Sequence, residues 1–233
     1  MVRREVHTMG TDHATFSLQL SLAMDRQCAE ARDAAGLAAM LFEAATIAER
    51  TLNATQTDEQ LDLVACHAGC SACCNLNVAV LVPEALTIAA YLRERENDPN
   101  FAIVTEKLEK LARYLRWVDD EERIRLQVPC AFLDQLGWCT IHPVRPLMCR
   151  GIAATDPPQC RRSLTTNCMD DEEPVMMNLV QKFLYDEAFR LVAAALERHG
   201  LNPRGMELHA GVQAFLDHPE LAAEFLAGQR ISI

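Results

Sequence analysis

The sequence predicts a mainly α-helical protein, in which a helical bundle scaffold encloses an irregular cysteine-rich metal-binding region with a short β-hairpin. Three observations predict this class. Both ends of the 233-residue chain are rich in alanine, leucine and other helix-forming residues. Nine of the ten cysteines lie between Cys66 and Cys168, and prolines and glycines interrupt residues 127–174. A long irregular stretch inside a folded protein needs something besides helix packing to organise it, and bound metal is the natural candidate.

The N-terminal third is predicted to be helical. The segment from about Thr15 to Leu52 contains no proline, and Gly36 is a point at which it divides into two helices. Residues 53–58 are typical of a break, and Asp58 is suited to cap a short helix that runs toward Val64.

Two further helices are predicted between the cysteine motifs. The first begins at Pro83-Glu84 and stops near Asn97-Asp98-Pro99. The second carries apolar residues spaced three and four apart, which predicts one buried face. These residues are Phe101, Val104, Leu108, Leu111, Leu115 and Val118.

From Gln127 to Pro174 the helical periodicity disappears, so we expect loops and short strands there. A hairpin is predicted in which a strand with Phe132 and Leu133 turns at residues 135–137 and returns through Cys139. Helix is expected to resume at Pro174 and to stop at Gly200, and a last helix to begin near Asp217.

The predicted organisation is an N-terminal helical segment (1–62), a cysteine-cluster region with two inserted helices (63–168) and a C-terminal helical segment (169–233). We expect these segments to form one compact domain, since the length suits a single core.

Composition excludes several functions. The net charge of −11 argues against affinity for nucleic acid or anionic lipid. The longest charge-free run, Leu63 to Pro83, holds too many polar residues to span a membrane. No secretory signal follows Met1, so we expect a cytoplasmic protein whose cysteines bind metal or act in redox chemistry and do not form disulfides.

Positive charge is concentrated where the cysteines are. Residues 123–168 carry six arginines and two acids, whereas the rest of the chain is strongly acidic. Thiolates and inorganic sulfide would be stabilised by such a patch.

Two cysteine motifs carry the predicted chemistry. The first places four thiols, Cys66, Cys70, Cys73 and Cys74, within nine residues. Cys-x2-Cys spacing lets a turn present two sulfurs to one ion, but adjacent thiols are hard to place on one tetrahedral ion. The motif therefore suggests two metal centres or one multinuclear centre.

The second motif runs from Pro129 to Gly151. The predicted hairpin places Cys130 and Cys139 at its two ends, and Pro143 and Pro146 direct Cys149 back toward them. Together the motifs, Cys-x3-Cys-x2-Cys-Cys and Pro-Cys-x-Phe-Leu … Gly-x-Cys-x-Ile-x-x-x-Arg-Pro-x-x-Cys-Arg, resemble those of the YkgJ-type cysteine-cluster proteins. That family is described as zinc- or iron-chelating and is often labelled iron-sulfur.

The resemblance covers about residues 66–160 and implies a ligand set. By position, the implied metal ligands are Cys66, Cys70, Cys73, Cys74, Cys130, Cys139, Cys149 and Cys160. Arg145 and Arg150 match the family's Arg-Pro and Cys-Arg and are expected to neutralise or orient the centre. A more distant resemblance, to flagellin lysine methylases with a similar cluster, implies a methyltransferase that uses S-adenosylmethionine.

Two classes of function stay open at this point. An iron-sulfur cluster, such as 4Fe-4S, suits the all-sulfur ligands and the arginines, and implies electron transfer with a redox partner protein or a cluster-dependent enzyme. Zinc suits the same cysteines in a structural or metal-handling protein.

Single residues outside these sets receive narrower predictions. His67 is the best candidate for a ligand other than cysteine, although a solvated turn explains it equally well, and His142 is expected beside the centre. Trp138 and Phe132 are expected to shield the centre, Cys28 to lie in the core, and Cys168 is a ninth ligand or a bystander.

Overall fold

The computed structural model describes residues 2–165 and 174–231 and is mainly helical, which confirms the predicted fold class. Eleven α-helices lie in these ranges. They are α1 (Val2–Glu30), α2 (Ala34–Thr55), α3 (Asp58–Asp62), α4 (Val82–Arg93), α5 (Pro99–Tyr114), α6 (Asp120–Leu126), α7 (Leu147–Gly151), α8 (Pro157–Thr165), α9 (Leu179–Arg198), α10 (Leu208–Asp217) and α11 (Leu221–Leu226).

The scaffold is built around α2, which packs against α1, α4 and α9. Helix α9 also contacts α1 and α7, and α10 packs on α4 and α5. One cluster of buried apolar side chains runs through these helices from Phe16 to Ile231 and includes Phe132 of the cysteine-rich region. The N-terminal and C-terminal helices therefore share a core with the region that holds the cysteines.

The N-terminal helix divides as predicted, at residues 31–33, just before Gly36. Asp33 caps α2, because its side chain accepts a hydrogen bond from the Gly36 N–H at 2.9 Å. A Cβ at residue 36 would lie 2.9 Å from the Ala31 Cα, so glycine permits the close approach of α1 and α2 at this corner. The short helix α3 is also found, although its N-cap is Thr57 and not Asp58.

The two helices predicted between the cysteine motifs are confirmed as α4 and α5, and a third helix, α6, which was not predicted, precedes the second motif. On α5, Val104 and Leu108 are buried, and Leu115 of the following 3₁₀ turn is buried as well, as the apolar spacing predicted.

The C-terminal half departs from the prediction at several places. The stretch 127–174 holds the short helices α7 and α8 as well as loops. Helix does not resume at Pro174: Met176 and Asn178 pair with the strand-like backbone at residues 153–155, through the Asn178 N–H to Ala153 carbonyl bond of 2.8 Å among others. Helix α9 starts only at Leu179, where Asn178 is the N-cap.

The predicted hairpin is present, but its arms have little strand pairing. Its two arms meet in a single antiparallel bridge, Leu133 to Cys139, supported by the bond from the Thr140 N–H to the Phe132 carbonyl at 2.8 Å. The two-stranded sheet of the protein lies elsewhere and was not predicted. It pairs β1 (Ala79–Val80) antiparallel with β2 (Met206–Glu207), which brings the start of α10 against the chain that follows the first cysteine motif.

A buried carboxyl joins this scaffold to the second cysteine motif. Glu84 of α4 accepts hydrogen bonds at 2.8 Å from the Leu81 N–H and from the Leu147 N–H, the first residue of α7. The side chain is almost fully buried, at 3 % exposure, and burial raises its pKa to about 7, against the lowering effect of these bonds and of Arg150. Helix α7, which carries Cys149, is thus fixed to α4 at its N-terminus.

We expect Glu84→Gln to change the pH dependence of stability. Because the carboxyl has a raised pKa in the folded state, its contribution to stability is present below its ordinary pKa and is lost as the pH rises through about 7. Urea unfolding of the reduced, metal-free protein should therefore show falling stability between about pH 4.5 and pH 7 for the native sequence. In the Gln variant this pH-dependent loss is removed, and one backbone N–H loses its acceptor, at a cost of about 1–3 kcal/mol. Parallel pH profiles for both proteins would contradict the prediction, and Glu94→Gln, at an exposed position, is the control.

Within residues 2–165 and 174–231, every helix falls short of the length and apolar character that crossing a membrane requires.

Candidate metal centre

The first cysteine motif forms a tight turn beside the end of α7. The Ala65 N–H donates to the Ala154 carbonyl at 2.9 Å, and the Ala154 N–H donates to the Cys66 sulfur at 3.3 Å. A turn then closes through the bond from the Cys70 N–H to the His67 carbonyl, and residues 72–75 form a 3₁₀ turn that holds Cys73 and Cys74. The small residues between the cysteines permit this path.

The second motif is held by the hairpin and its turn. The Asp134 carboxylate accepts hydrogen bonds at 2.8 Å from the N–H groups of Leu136 and Trp138, which closes the turn between the two arms. Cys130 and Cys139 lie at the two ends of the hairpin, as predicted, and Cys149 follows on α7.

The two motifs are joined by the backbone. The Cys130 N–H donates to the Cys74 carbonyl at 2.9 Å, so the second motif begins directly against the end of the first. Their turns also pack closely. A Cβ at Gly137, where φ is +78°, would lie 3.3 Å from the Gly69 carbonyl oxygen, and a Cβ at Gly69 would lie 3.3 Å from the Trp138 Nε1. Glycine at both positions permits the left-handed backbone and the contact.

Electrostatic interactions divide the eight predicted ligands into two separate groups of four, which one cysteine connects. Cys160 on α8 interacts with Cys66, Cys70 and Cys73, and these four form the turn group. Cys149 interacts with Cys130 and Cys139, Cys74 interacts with Cys130 and Cys149, and these four form the hairpin group. Cys73 also interacts with Cys139 and Cys149, so it connects the two groups.

Burial and the neighbouring thiols make the charged forms unfavourable in both groups. Burial, followed by the Cys130, Cys73 and Cys139 thiols, raises the pKa of Cys149, and burial raises that of Cys139 to about 11. The pKa of Cys66 and of Cys160 is also raised, first by burial and then by their neighbours in the turn group. Without a metal, these thiols therefore favour the protonated state.

Cys73 differs from the others in the direction of its shift. The Cys74 thiol donates a hydrogen bond to the Cys73 sulfur, which lowers the pKa of Cys73 and raises that of Cys74. The Arg145 guanidinium acts in the same direction on Cys73. Cys73 is therefore the thiol of this pair that ionises first.

The two predicted arginines have different surroundings. Arg145 lowers the pKa values of Cys73, Cys66 and Cys139, and its buried Nε has no hydrogen-bond partner in the part of the chain that the structure describes. Arg150 donates to the carbonyls of Arg145 and Pro143, at 3.1 and 3.0 Å. Arg145 thus faces the thiols, while Arg150 fixes the loop that carries it.

Several other predicted residues are also placed by the structure. The exposed His67 ring contacts the Ala68 carbonyl through Nδ1, and His142 is exposed too. Phe132 is fully buried, whereas Trp138 is 54 % exposed. Cys28 lies in the core, as predicted, and Cys168 lies outside the described residues.

Three polar residues near Cys130 were not predicted. His209 Nε2 lies 3.3 Å from the Cys130 sulfur, and His209 Nδ1 lies 2.6 Å from a Glu207 carboxylate oxygen. Burial lowers the pKa of His209, but Cys130 and Glu207 raise it to about 9. Arg123 is fully buried and interacts electrostatically with Cys130 and Glu207. Glu207 and His209 stand far along the chain from both cysteine motifs, so no local spacing signals them.

The nine described cysteines are free thiols. Among the described residues, no three or more His, Cys, Asp or Glu side chains stand in an arrangement that could hold a metal ion. The chemistry of the donor set nevertheless fits soft metals, because Cys66, Cys73 and Cys139 interact with Arg145, whose buried Nε has no described partner.

The fold and the site together define a helical protein that carries a cysteine-rich metal-binding region. Residues 65–173 match the family model described as "CxxCxxCC: Putative zinc- or iron-chelating domain". The resemblance found from the motifs is confirmed, and the match supports binding of zinc or iron. Searches of curated proteins and of solved structures found no match.

Proposed function

We propose that this protein holds an iron-sulfur cluster through cysteine thiolates and uses it in electron transfer or in a cluster-dependent reaction. The observation that carries the proposal is that eight thiols interact with one another in two groups of four, and that three of them, Cys66, Cys73 and Cys139, also interact with Arg145. Four thiolates are the common ligand set of an iron-sulfur cluster.

The electrostatics of the two groups favours a metal-bound state. Burial and mutual repulsion raise the pKa of Cys149, Cys139 and Cys66, so the ionised thiols need a compensating charge. A metal centre supplies that charge and releases the thiol protons as it binds.

Arg145 favours a negatively charged sulfur beside it, either a cluster sulfide or a thiolate. Its buried Nε has no hydrogen-bond partner among the residues described, and a buried donor without an acceptor is costly. A cluster sulfide or thiolate next to this group would accept its hydrogen, and such bonds tune cluster potentials.

Zinc is the second candidate, because the family description names zinc beside iron. A zinc protein would use the same thiolates as closed tetrahedral sites without redox chemistry. Thiolate ligands alone discriminate poorly between the two metals, so the metal must be measured.

The iron-sulfur proposal further implies a reducing compartment, for which we propose the cytoplasm, and a redox partner protein that exchanges electrons with the centre.

Anaerobic purification followed by iron, zinc and acid-labile sulfide analysis tests the proposal. We expect a brown protein with iron and sulfide in comparable amounts and a broad visible absorption that bleaches on reduction. A colourless protein that holds stoichiometric zinc even when iron is supplied during expression would establish the zinc alternative. Finding neither metal, with every thiol freely titratable in the native state, would exclude both.

A further inference from the structure

A large cavity lies where α5 and α10 meet the chain at residues 202–207 and 230–231. Its volume is about 860 Å³, which is within the range of cavities that hold small organic molecules. Ala112 of α5 and Ala210 and Ala214 of α10 line it, so small side chains leave this space between two helices that pack together. None of the eight predicted metal ligands lines the cavity, so it is separate from the candidate metal centre.

Four arginines line this cavity, which we call the arginine cavity. Arg113 stands near the end of α5, and Arg116 lies in the 3₁₀ turn that follows it. Arg204 precedes β2, and Arg230 follows α11. Segments far apart in the sequence thus bring positive charge to one concave surface, in a chain whose net charge is −11.

Arg204 and Arg230 are brought to the same side of the cavity by a contact between their segments. The Asn202 side chain donates a hydrogen bond through Nδ2 to the Ile231 carbonyl at 3.5 Å. Its Oδ1 accepts a hydrogen bond from the Arg204 N–H at 3.1 Å. One asparagine therefore connects the backbone segments that carry these two arginines.

Three acidic side chains also line the arginine cavity, but two of them already have partners. Glu109 accepts a hydrogen bond from Arg113 at 2.6 Å. Both carboxylate oxygens of Glu207 are engaged by groups of α10. Asp217, at the end of α10, is exposed. Among the described residues that line the cavity, Arg113 is thus the one arginine that a carboxylate neutralises.

The other three arginines have no such partner. Within residues 2–165 and 174–231, the guanidinium groups of Arg116, Arg204 and Arg230 make no hydrogen bond and no ion pair, and all three residues are exposed. The Arg116 guanidinium lies 5.5 Å from the centre of the Trp117 ring, a contact that does not neutralise its charge. Three unpaired cations around one concave surface attract anions from solution.

We propose that the arginine cavity binds a small organic molecule that carries two or more negative charges on phosphate or carboxylate groups. The planar guanidinium group presents N–H donors in a fork that matches the oxygens of either group, and such charge-assisted hydrogen bonds are stronger than neutral ones. Three unpaired cations are better matched by several negative charges than by one. This binding goes beyond the proposed metal-binding function and does not depend on it.

Isothermal titration calorimetry of the purified full chain, in a phosphate-free buffer of low ionic strength, tests the proposal with ADP, AMP, adenosine and succinate as probes. We expect saturable binding of ADP or of succinate, weaker binding of AMP than of ADP, and none of adenosine. Saturation by ADP identifies phosphate as the recognised group, and saturation by succinate alone identifies carboxylate. The affinity should fall as salt is added, because the arginines are exposed.

Arg204→Gln and Arg230→Gln should each weaken binding of the saturating probe about 10-fold, because each removes a charged hydrogen-bond donor. Both residues are exposed and unpaired within the described ranges, so the substitutions should leave folding intact. Arg26→Gln is the matched control. Arg26 is an exposed arginine of α1 that does not line the cavity, so its loss removes the same charge and should leave the affinity unchanged.

Lack of saturable binding by both ADP and succinate would overturn the proposal, as would adenosine binding as tightly as ADP. Equal weakening by Arg26→Gln would also overturn it, because it would indicate attraction to the overall charge. Unchanged affinity in both cavity variants would place the anion elsewhere, including at the metal centre. Protein that holds zinc, iron and sulfide, or no metal should bind the anion alike, so failure here and failure of the iron-sulfur proposal are told apart.

Discussion

Cys149→Ser is expected to remove metal from the protein, with a loss of affinity larger than the roughly 100-fold effect typical of residues that only contact ligands. Serine replaces a soft thiolate with a hydroxyl that stays protonated and binds zinc and iron poorly. Cys149 interacts with Cys130, Cys73 and Cys139, and α7 holds it there through the hydrogen bond from Leu147 to Glu84. The neighbouring backbone thus offers little freedom for another donor to take its place.

The metal content is measured by elemental analysis, and the affinity by Co²⁺ titration. Cys73→Ser should also lose metal, because Cys73 connects the two thiol groups. Cys28→Ser is the control. Cys28 is buried in the core on α1, away from the other thiols, so this variant should keep its metal and lose only packing stability. Unchanged metal content in Cys149→Ser would remove the hairpin group from the centre.

Loss of the metal should also lower stability. Metal that binds only the folded state stabilises it, and structural thiolate sites contribute many kcal/mol to folding. Metal loading should therefore raise the free energy of unfolding of the native sequence and of Cys28→Ser, but not that of Cys149→Ser. A similar gain in all three proteins would mean that the stabilising metal binds elsewhere.

The parts of the fold that could be predicted are those whose signals are local and repeated. The apolar spacing of α5 identified its buried face, because only a helix brings residues three and four apart together. Helix α10 was missed although Leu208, Val212 and Phe215 lie on its buried side, since Gly205 and Gly211 interrupt the pattern. A Cβ at Gly211 would lie 2.7 Å from the Met206 Sδ, so this glycine serves close packing and does not end the helix.

In the candidate site, too, local and repeated signals could be predicted from the sequence and isolated residues could not. The thiols could be predicted because metal chemistry requires one residue type at short spacings, and the structure joins their two motifs at Cys74 and Cys130. His209 and Arg123 could not, because a lone polar residue on a helix is ordinary in sequence. The contact of His209 with Cys130 appears only when β1 and β2 pair and bring the start of α10 to the hairpin.

Arg123→Met is expected to stabilise the metal-free protein by about 1–4 kcal/mol while weakening metal binding. Arg123 is 0 % exposed, and none of its guanidinium nitrogens has a hydrogen-bond partner within the described ranges. Burial lowers its pKa, while Cys130 and Glu207 raise it. A buried cation without hydrogen bonds is costly, and methionine fills a similar space without that cost.

The opposite effect on metal binding follows from charge. When Cys130 is protonated it gives Arg123 no compensation, whereas a negatively charged thiolate centre does, so the cation favours the loaded state. Arg125→Met, two residues further along α6, is the matched control, because Arg125 is exposed and pairs with Glu121. It should change stability by no more than about 0.5 kcal/mol in either state. Urea unfolding without Zn²⁺ measures the stability of the metal-free protein, and the gain in stability on adding Zn²⁺ reports metal binding. If Arg123→Met destabilises the metal-free protein and leaves the Zn²⁺-dependent gain intact, Arg123 is bound by partners other than the centre and does not compensate its charge.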